Sequence, residues 1–200
     1  MINSRIRKFG FLLSLVFVLG STNFLAAASA DSRDSYNGAV YSDIPNFKSA
    51  TDEITRGGRP TYSGVRKLSE MGVRTVINLE NDSDAIRKDQ AYAEKFGIDY
   101  YSFPMSWMKE PKDATIDEIL QLLQDESAYP IFIHCKHGQD RTGLLIGLYR
   151  VFVQNWTADA AYQEMLDLGF HPRLWALDRY FKKATRGKMT FADFYYRSAF

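Results

Sequence analysis

Cys135 and Arg141 stand six positions apart and offer a nucleophile and an anion-binding group in one short stretch. A thiolate is a strong nucleophile, and a guanidinium can bind two oxygens of a phosphate at once. The backbone N–H groups of a loop that leads into a helix also attract an anion, and the helix dipole adds to this attraction. The same positive field favours the thiolate over the thiol. The stretch is therefore suited to hold a phosphate above an ionised cysteine.

The residues around this loop predict a strand before it and a helix after it. Ile131 to Ile133 is a run of β-branched and aromatic residues, which is typical of a buried strand. The apolar run Leu144 to Val153 follows the loop and indicates a helix. Thr142 lies where that helix starts, and two roles are open to its hydroxyl: capping the helix, or donating a hydrogen bond to the thiolate.

The stretch resembles the signature of the cysteine-dependent protein tyrosine phosphatase superfamily, in which His-Cys is followed by five residues, Arg and Ser or Thr. Here it reads His134, Cys135, residues 136–140, Arg141 and Thr142. The resemblance implies attack on phosphorus by the cysteine, a phosphocysteine intermediate, and neither a metal ion nor another cofactor. The alternative is a buried, inert cysteine, which the polar loop argues against. Five further positions are expected to contact the substrate: Lys136, His137, Gly138, Gln139 and Gly143.

The sequence leaves the general acid open. A positioned acid speeds departure of the leaving group by roughly 10²–10⁴-fold. In the superfamily it is usually an aspartate on a loop ahead of the cysteine, but Phe103 to Trp107 at that spacing contains no acidic residue. Asp113 is one candidate, with a first-turn helix charge as its alternative. Asp140 is the other, with a structural contact to Arg141 or to a backbone N–H as its alternative. Glu110 is a third.

The basic character of the loop predicts a substrate with more than one phosphate. Lys136 and His137 follow the cysteine directly, and Arg59, Lys109 and Lys112 are expected to extend the same rim. The pattern Cys-Lys-x-Gly-x-x-Arg-Thr-Gly is similar to that of atypical dual-specificity phosphatases and tyrosine-phosphatase-like phytases. This similarity implies a small phosphorylated partner, with inositol polyphosphates, phytate included, as the favoured substrates.

Three other functions remain open from the sequence. A tyrosine or dual-specificity protein phosphatase would use the same loop on phosphopeptides. A non-catalytic pseudophosphatase would bind phosphate without releasing it, and the missing acid at the usual spacing favours this alternative. A sulfurtransferase also uses one loop cysteine above a helix, but Arg141 followed by Thr142 argues against it.

The pattern along the chain predicts an α/β fold with a largely parallel central sheet flanked by helices. The phosphatase superfamily is known for this architecture, and parallel sheets bind ligands at the carboxyl ends of their strands, where Cys135 lies. A turn is expected at 57–60. The predicted strands are 47–56 (one strand or two short ones), 73–79, 98–103 and 131–133, and the predicted helices are 61–71, 82–96, 115–124, 144–153, 157–168, 172–185 and a short one from 190.

The N-terminus predicts export. Three basic residues precede the apolar run Phe9 to Leu19, and Ala28-Ser29-Ala30 fits a cleavage site, so we expect a signal peptide over 1–30 and a secreted or periplasmic protein. A transmembrane anchor is the alternative, but the apolar run is short for one. The rest divides into an irregular arm, 31–46, and a phosphatase domain, 47–200. Removing 1–30 leaves 22 basic and 24 acidic residues, a net charge of −2, which argues against nucleic-acid binding.

Overall fold

Strands and helices alternate along the part of the chain that the computed structural model describes, residues 42–186. The strands are β1 (Lys48–Ser49), β2 (Ile54–Gly58), β3 (Thr75–Asn78), β4 (Asp99–Ser102) and β5 (Ile131–Cys135). The helices are α1 (Tyr62–Glu70), α2 (Ser83–Lys95), α3 (Asp113–Leu122), α4 (Asp140–Phe152), α5 (Ala158–Asp167) and α6 (Trp175–Ala184), and a single 3₁₀ turn covers Glu126–Ala128. The predicted alternation of strands and helices is confirmed.

The five strands form one sheet in the order β1-β2-β5-β3-β4. β5 pairs in parallel with β2 on one side and with β3 on the other, β4 is parallel to β3, and only the short edge strand β1 runs antiparallel. The largely parallel sheet is therefore confirmed. Because β5 is the central strand, its carboxyl end places Cys135 in the middle of the edge where parallel sheets bind ligands.

Helices cover both faces of the sheet, and the alternation of side chains along β5 shows how. Ile131 and Ile133 pack into a large core with residues of α3, α4, α5 and α6. Phe132, between them, points to the other face and joins a smaller core with Val65 and Leu68 of α1. All of these side chains are buried, and each such burial stabilises the fold by about 1.5–3 kcal/mol. The strand before the loop is thus held rigidly from both sides.

Local signals in the sequence set most helix boundaries. The side chains of Thr61, Asp82 and Thr157 each accept hydrogen bonds from backbone N–H groups in the first turn of α1, α2 and α5. Gly72 and Gly97 follow the ends of α1 and α2 with positive φ, a conformation that glycine adopts without steric cost. These boundaries agree with the predicted ones to within a residue or two.

Two boundaries differ from the prediction, and backbone hydrogen bonds account for both. β2 continues through Gly57 and Gly58, where a turn was expected, because they pair in register with the last two residues of β5. α4 begins at Asp140, within two residues of the helix start expected beside Arg141 and Thr142. α6 begins at Trp175 and not at Pro172, because the preceding residues form a turn in which the N–H of Leu174 donates to the carbonyl of His171.

Several predictions lie outside the described residues: the signal peptide, residues 31–41 of the predicted arm, and the helix expected from residue 190. Within the rest of that arm, Ile44 is fully buried and packs in the core beside α1 and α2. Among the described helices, none combines the length and the apolar character needed to cross a bilayer.

Candidate active site

Cys135 ends β5 at the base of a cavity of about 560 Å³. This volume lies in the range of small-molecule sites, and the thiol is only 2% exposed. Four parts of the fold build the cavity: the ends of β2 and β3 with the residues after them, the loop before α3, the catalytic loop with the start of α4, and the turn before α6. Its lining residues are Arg59, Glu80, Asn81, Asp82, Trp107, Cys135, Lys136, His137, Asp140, Arg141, His171, Arg173 and Leu174.

The catalytic loop, residues 136–139, lies against the end of β2. Gly138 has φ +72°, and a Cβ added there would come within 2.3 Å of the carbonyl carbon of Gly57. The Nη2 of Arg56, a residue that is almost completely buried, donates to the Gly138 carbonyl at 2.7 Å. The side chain of Asn46 donates to the His137 carbonyl at 2.8 Å. With these two carbonyls engaged by Arg56 and Asn46, the loop N–H groups are the backbone groups left to bind an anion.

We expect Gly138→Ala to displace this loop and to lower activity more than stability alone explains. A methyl group at this position meets the backbone of β2, and a shift of about 1 Å in a catalytic group can cost about 10²-fold in rate. Gly97→Ala is the matched control, because Gly97 also has positive φ but nothing lies within 4 Å of its added Cβ. Both variants should lose about 1–2 kcal/mol of stability from the backbone conformation. Equal activities of the two variants in a phosphatase assay would contradict this prediction.

Arg141 lies in the first turn of α4, and its guanidinium lines the same cavity as Cys135. One nitrogen, Nη1, donates to the carbonyl oxygens of Leu79 (3.2 Å) and Met105 (3.3 Å) and to Oδ1 of Asn81 (3.3 Å). These acceptors follow β3 and β4, so neighbouring strands orient the guanidinium. The structure therefore brings together the two residues that the sequence paired, and it holds the second in one orientation.

Thr142 is fully buried within α4, and the N-cap position is occupied by Gln139, whose side chain makes no capping hydrogen bond. The capping role considered for the threonine hydroxyl is therefore wrong. Among the described residues, the Thr142 Oγ1 meets no hydrogen-bond partner. An unpaired buried hydroxyl costs about 1–3 kcal/mol. The hydroxyl also makes no hydrogen bond to the Cys135 sulfur in this structure, so its donation to the thiolate stays a prediction.

The residues expected to contact substrate divide into two groups. Lys136 and His137 are exposed and line the cavity, as predicted. The side chain of Gln139 instead faces a separate cavity of about 210 Å³ and lies against Gly169, so its predicted side-chain contact with substrate is not supported. Gly143 is buried in α4 beside Phe170 and Arg56, where a Cβ would make only ordinary contacts at 3.7–3.8 Å, and it does not line the cavity.

The candidate acids are also separated by the fold. Asp140 lines the cavity, where its Oδ1 accepts a hydrogen bond from the backbone N–H of His171 at 2.8 Å. Of its two structural alternatives, the backbone contact is present, and the partner is on the turn before α6. Asp113 begins α3 outside the cavity and accepts a hydrogen bond from the Tyr180 hydroxyl at 2.8 Å. Glu110 pairs with Arg179 on α6, also outside the cavity.

Some cavity residues were not predicted. Arg59 lines the cavity as expected, but Lys109 and Lys112 do not, so the loop before α3 contributes no lysine to the rim. The turn before α6 supplies His171 and Arg173 in their place. No local pattern in the sequence marks this turn as part of the site, because α5 and the end of α4 separate it from the loop along the chain.

Buried ionisable groups lie at the ends of β3 and β5 and on α2. Glu80, Asp89 and His134 have potential ligand atoms within 4.8 Å of one another, close enough to hold a metal ion. The charge of Glu80 is already met by Arg59, whose Nε donates to it at 2.7 Å. Asp89 accepts from Asn78 at 3.1 Å. These three residues form a buried polar network in which Glu80 and Asp89 have hydrogen-bond partners, whereas the ring nitrogens of His134 have none among the described residues.

The pKa values of the other two residues of this network are shifted in opposite directions. Burial and the neighbouring Glu80 carboxylate raise the pKa of Asp89 to about 7, and burial lowers the pKa of His134 to about 4. Between about pH 4 and 6.5 the folded protein holds a proton on Asp89 that the unfolded chain lacks, and the unfolded chain holds one on His134 that the folded protein lacks. Their contributions to the pH dependence of stability therefore largely cancel in this window.

Asp89→Asn is expected to expose the histidine contribution. Without Asp89, the unfolded chain binds more protons than the folded protein below about pH 6.5, so the free energy of unfolding should rise with pH from about 4 to 6.5. Its slope should exceed that of the wild type by up to about 1.4 kcal/mol per pH unit. Denaturant unfolding across this window measures both slopes. Asp99→Asn, at an exposed position on β4, is the control, and identical slopes in all three proteins would contradict the prediction.

Comparisons with known proteins agree with this site. The family model described as "DSP-PTPase phosphatase fused to NAD+ Kinase" matches residues 39–179. The chain is 35% identical to the inositol diphosphatase DSP5 of Arabidopsis thaliana over 66% of its own length and 65% of that protein. It is 30% identical to the dual specificity protein phosphatase TpbA of Pseudomonas aeruginosa over 77% of its own length and 68% of that protein.

Comparison of the fold with solved structures supports the same family relationship. The crystal structure of P. aeruginosa TpbA superposes with a TM-score of 0.63 at 28% sequence identity, and the match covers 74% of this chain and 90% of that structure. The matched family segment includes Cys135, Arg141 and the turn that carries His171 and Arg173. The chain therefore belongs to the dual-specificity phosphatases of the cysteine-dependent protein tyrosine phosphatase superfamily.

Proposed function

We propose that the chain hydrolyses phosphomonoesters through a phosphocysteine intermediate and that inositol polyphosphates are its preferred substrates. In the first step the Cys135 thiolate attacks phosphorus, the P–O bond to the leaving group breaks, and that oxygen takes up a proton. In the second step water attacks the phosphocysteine, inorganic phosphate departs and the thiolate is regenerated. Arg141 and the loop N–H groups bind the phosphoryl oxygens in both steps.

The exposed cations around the single thiol are the observation that favours a substrate with several phosphates. Lys136 and Arg173 are both exposed on the cavity wall, and neither forms an ion pair with another described residue. Arg141 and the loop serve one phosphate at the thiol, which leaves these two charges for phosphates elsewhere on the same substrate. The similarity to an inositol diphosphatase supports this choice.

An apolar wall favours a second candidate, a phosphotyrosine substrate. Trp107 and Leu174 line the cavity, and beside it a cleft of about 280 Å³ is formed with Met108 and Trp175. Both tryptophans are about half exposed, at 47% and 58%. An aromatic ring or a peptide side chain bearing the phosphate would bury this surface, whereas a polyphosphorylated inositol would not. TpbA, a dual specificity protein phosphatase, supports this alternative.

Phosphate release by the full chain from inositol hexakisphosphate and from a phosphotyrosine peptide tests the proposal. A higher kcat/KM for the inositol substrate is expected, and Cys135→Ser is the negative control. Lys136→Ala combined with Arg173→Ala should lower kcat/KM for the inositol substrate roughly tenfold or more, with a smaller loss for the peptide. Trp107→Ala should lower kcat/KM more for the peptide than for the inositol substrate. A higher kcat/KM for the peptide would select the second candidate, and binding without release would select the pseudophosphatase.

We propose in addition that the chain is exported. The basic start, the apolar run Phe9 to Leu19 and the small residues that end at Ala30 support a cleaved signal peptide. The mature N-terminus is then Asp31. Mass spectrometry of the protein recovered from the culture medium and from the periplasm tests this proposal. An intact Met1 terminus confined to the cytoplasmic fraction would contradict it.

A further inference from the structure

The site needs a proton donor for the leaving group, and the usual loop does not provide one. Residues 103–107 hold no carboxylate, and both Asp113 and Glu110 are engaged with α6 outside the cavity. Thiolate attack expels an alkoxide, which is a poor leaving group unless an acid protonates it as the P–O bond breaks. A donor must therefore come from another part of the cavity wall.

His171 and Asp140 form a joined pair on that wall. The Asp140 Oδ1 lies 3.0 Å from Nδ1 of His171 and also accepts a hydrogen bond from the His171 backbone N–H at 2.8 Å. The two contacts fix both the turn and the imidazole ring. Both residues line the cavity that contains Cys135.

We propose that His171 is the general acid and that Asp140 is the residue that positions it. The inference rests on the proposed phosphatase function and assigns the proton transfer within it. Nε2–H of the imidazolium donates to the leaving oxygen as the bond to phosphorus breaks. The neutral imidazole then accepts a proton from the water that attacks the phosphocysteine, which restores the imidazolium.

The accessibility of the two side chains decides which of them meets the substrate. The Asp140 side chain is only 15% exposed and its Oδ1 is already engaged, whereas the His171 side chain is 60% exposed. Because Nδ1 faces the carboxylate, Nε2 is the ring atom left for the substrate. A carboxylate that orients an imidazole and favours its charged form is a known arrangement in acid–base catalysis.

Other charged side chains line the same cavity wall. These are Arg59, Glu80, Asp82, Lys136, His137 and Arg173, in addition to the catalytic loop itself. Arg59 and Glu80 form an ion pair with each other. Asp140 is the group in direct contact with the imidazole, so its removal should have the largest effect on the position of His171.

The test varies the leaving group in the full chain. A proton donor matters for an alkyl phosphate and matters little for 4-nitrophenyl phosphate, whose phenolate leaves unaided. His171→Gln is expected to lower kcat about 10²-fold or more for the alkyl phosphate and less than about tenfold for the nitrophenyl ester. The wild-type kcat for the alkyl phosphate should fall as the pH rises, because the imidazolium is lost. This decrease should be absent in His171→Gln. Asp140→Asn should lower kcat more for the alkyl phosphate than for the nitrophenyl ester, as His171→Gln does, with little change in KM.

His137→Gln is the matched control, since His137 is the other exposed histidine of the cavity. Any loss that it causes through substrate binding should be the same for both leaving groups. Equal losses for both substrates in His171→Gln, or a decrease of kcat at high pH that persists in this variant, would overturn the assignment. In either case, phosphocysteine formation would still support the phosphatase. Absence of phosphocysteine in the wild type would overturn both. Circular dichroism melting of each variant separates these results from unfolding.

Discussion

Cys135→Ser is expected to lower phosphate release by a factor of about 10³ or more, the largest effect of any single change in this protein. A serine hydroxyl is almost wholly protonated at neutral pH and is a weaker nucleophile than a thiolate. The cysteine is 2% exposed at the end of β5, and serine differs from it by one atom, so the fold should persist. Steady-state release of inorganic phosphate measures the loss.

The same variant should still bind phosphorylated ligands. The loop N–H groups and Arg141, which hold the phosphoryl oxygens, are unchanged by the substitution. Isothermal titration with a slowly hydrolysed substrate should therefore give a dissociation constant close to that of the wild type. Retained turnover would refute the phosphocysteine mechanism, whereas loss of both binding and turnover would show that the thiol also shapes the loop.

Arg141→Lys is expected to lower kcat about 10²–10³-fold, equivalent to about 2.7–4 kcal/mol of transition-state stabilisation. Lysine keeps the positive charge, so the loss in kcat measures what the planar, forked geometry of the guanidinium contributes. In the wild type Nη1 is held by the carbonyls of Leu79 and Met105 and by Asn81, which leaves the other donors of the guanidinium to face the cavity. A lysine cannot satisfy these acceptors and bridge two phosphoryl oxygens at the same time.

Arg66→Lys is the matched control for this substitution. Arg66 lies on α1 and forms an exposed i,i+4 ion pair with Glu70, so the change should leave kcat within about twofold. Single-turnover measurements separate the chemical step from product release and assign the Arg141→Lys loss to phosphoryl transfer. A kcat equal to that of the wild type, with only KM raised, would instead show that Arg141 binds the substrate and the transition state equally well.

Local sequence was sufficient to find the reactive loop and most helix boundaries. Only six positions separate Cys135 from Arg141, so a strand end and a helix start on either side bring them to the same anion. Thr61 and Asp82 cap helices through residues two or three positions away, again a local matter. The β-branched run of β5 identified the buried strand because a central strand is covered on both faces.

The residues that support the loop were beyond the reach of local patterns. Arg56 meets the Gly138 carbonyl across a separation of 82 positions, and only the parallel pairing of β2 with β5 brings them together. A buried arginine gives no periodic signal, and the pair Gly57-Gly58 read as a turn although the close approach of the loop requires it within a strand.

The sequence by itself therefore determined the chemistry: a lone thiol, a guanidinium at a fixed spacing, and an α/β framework to present them. The tertiary structure decided which of the candidate general acids shares the cavity with Cys135. Asp113 is 67 positions from Tyr180 and is bound to it, and Asp140 is 31 positions from His171 and is joined to it at the cavity wall. The physical reason is that a side chain's role depends on its partners in space. Those partners lie on α6 and on the turn before it, which are placed by packing against α4 and not by any local preference.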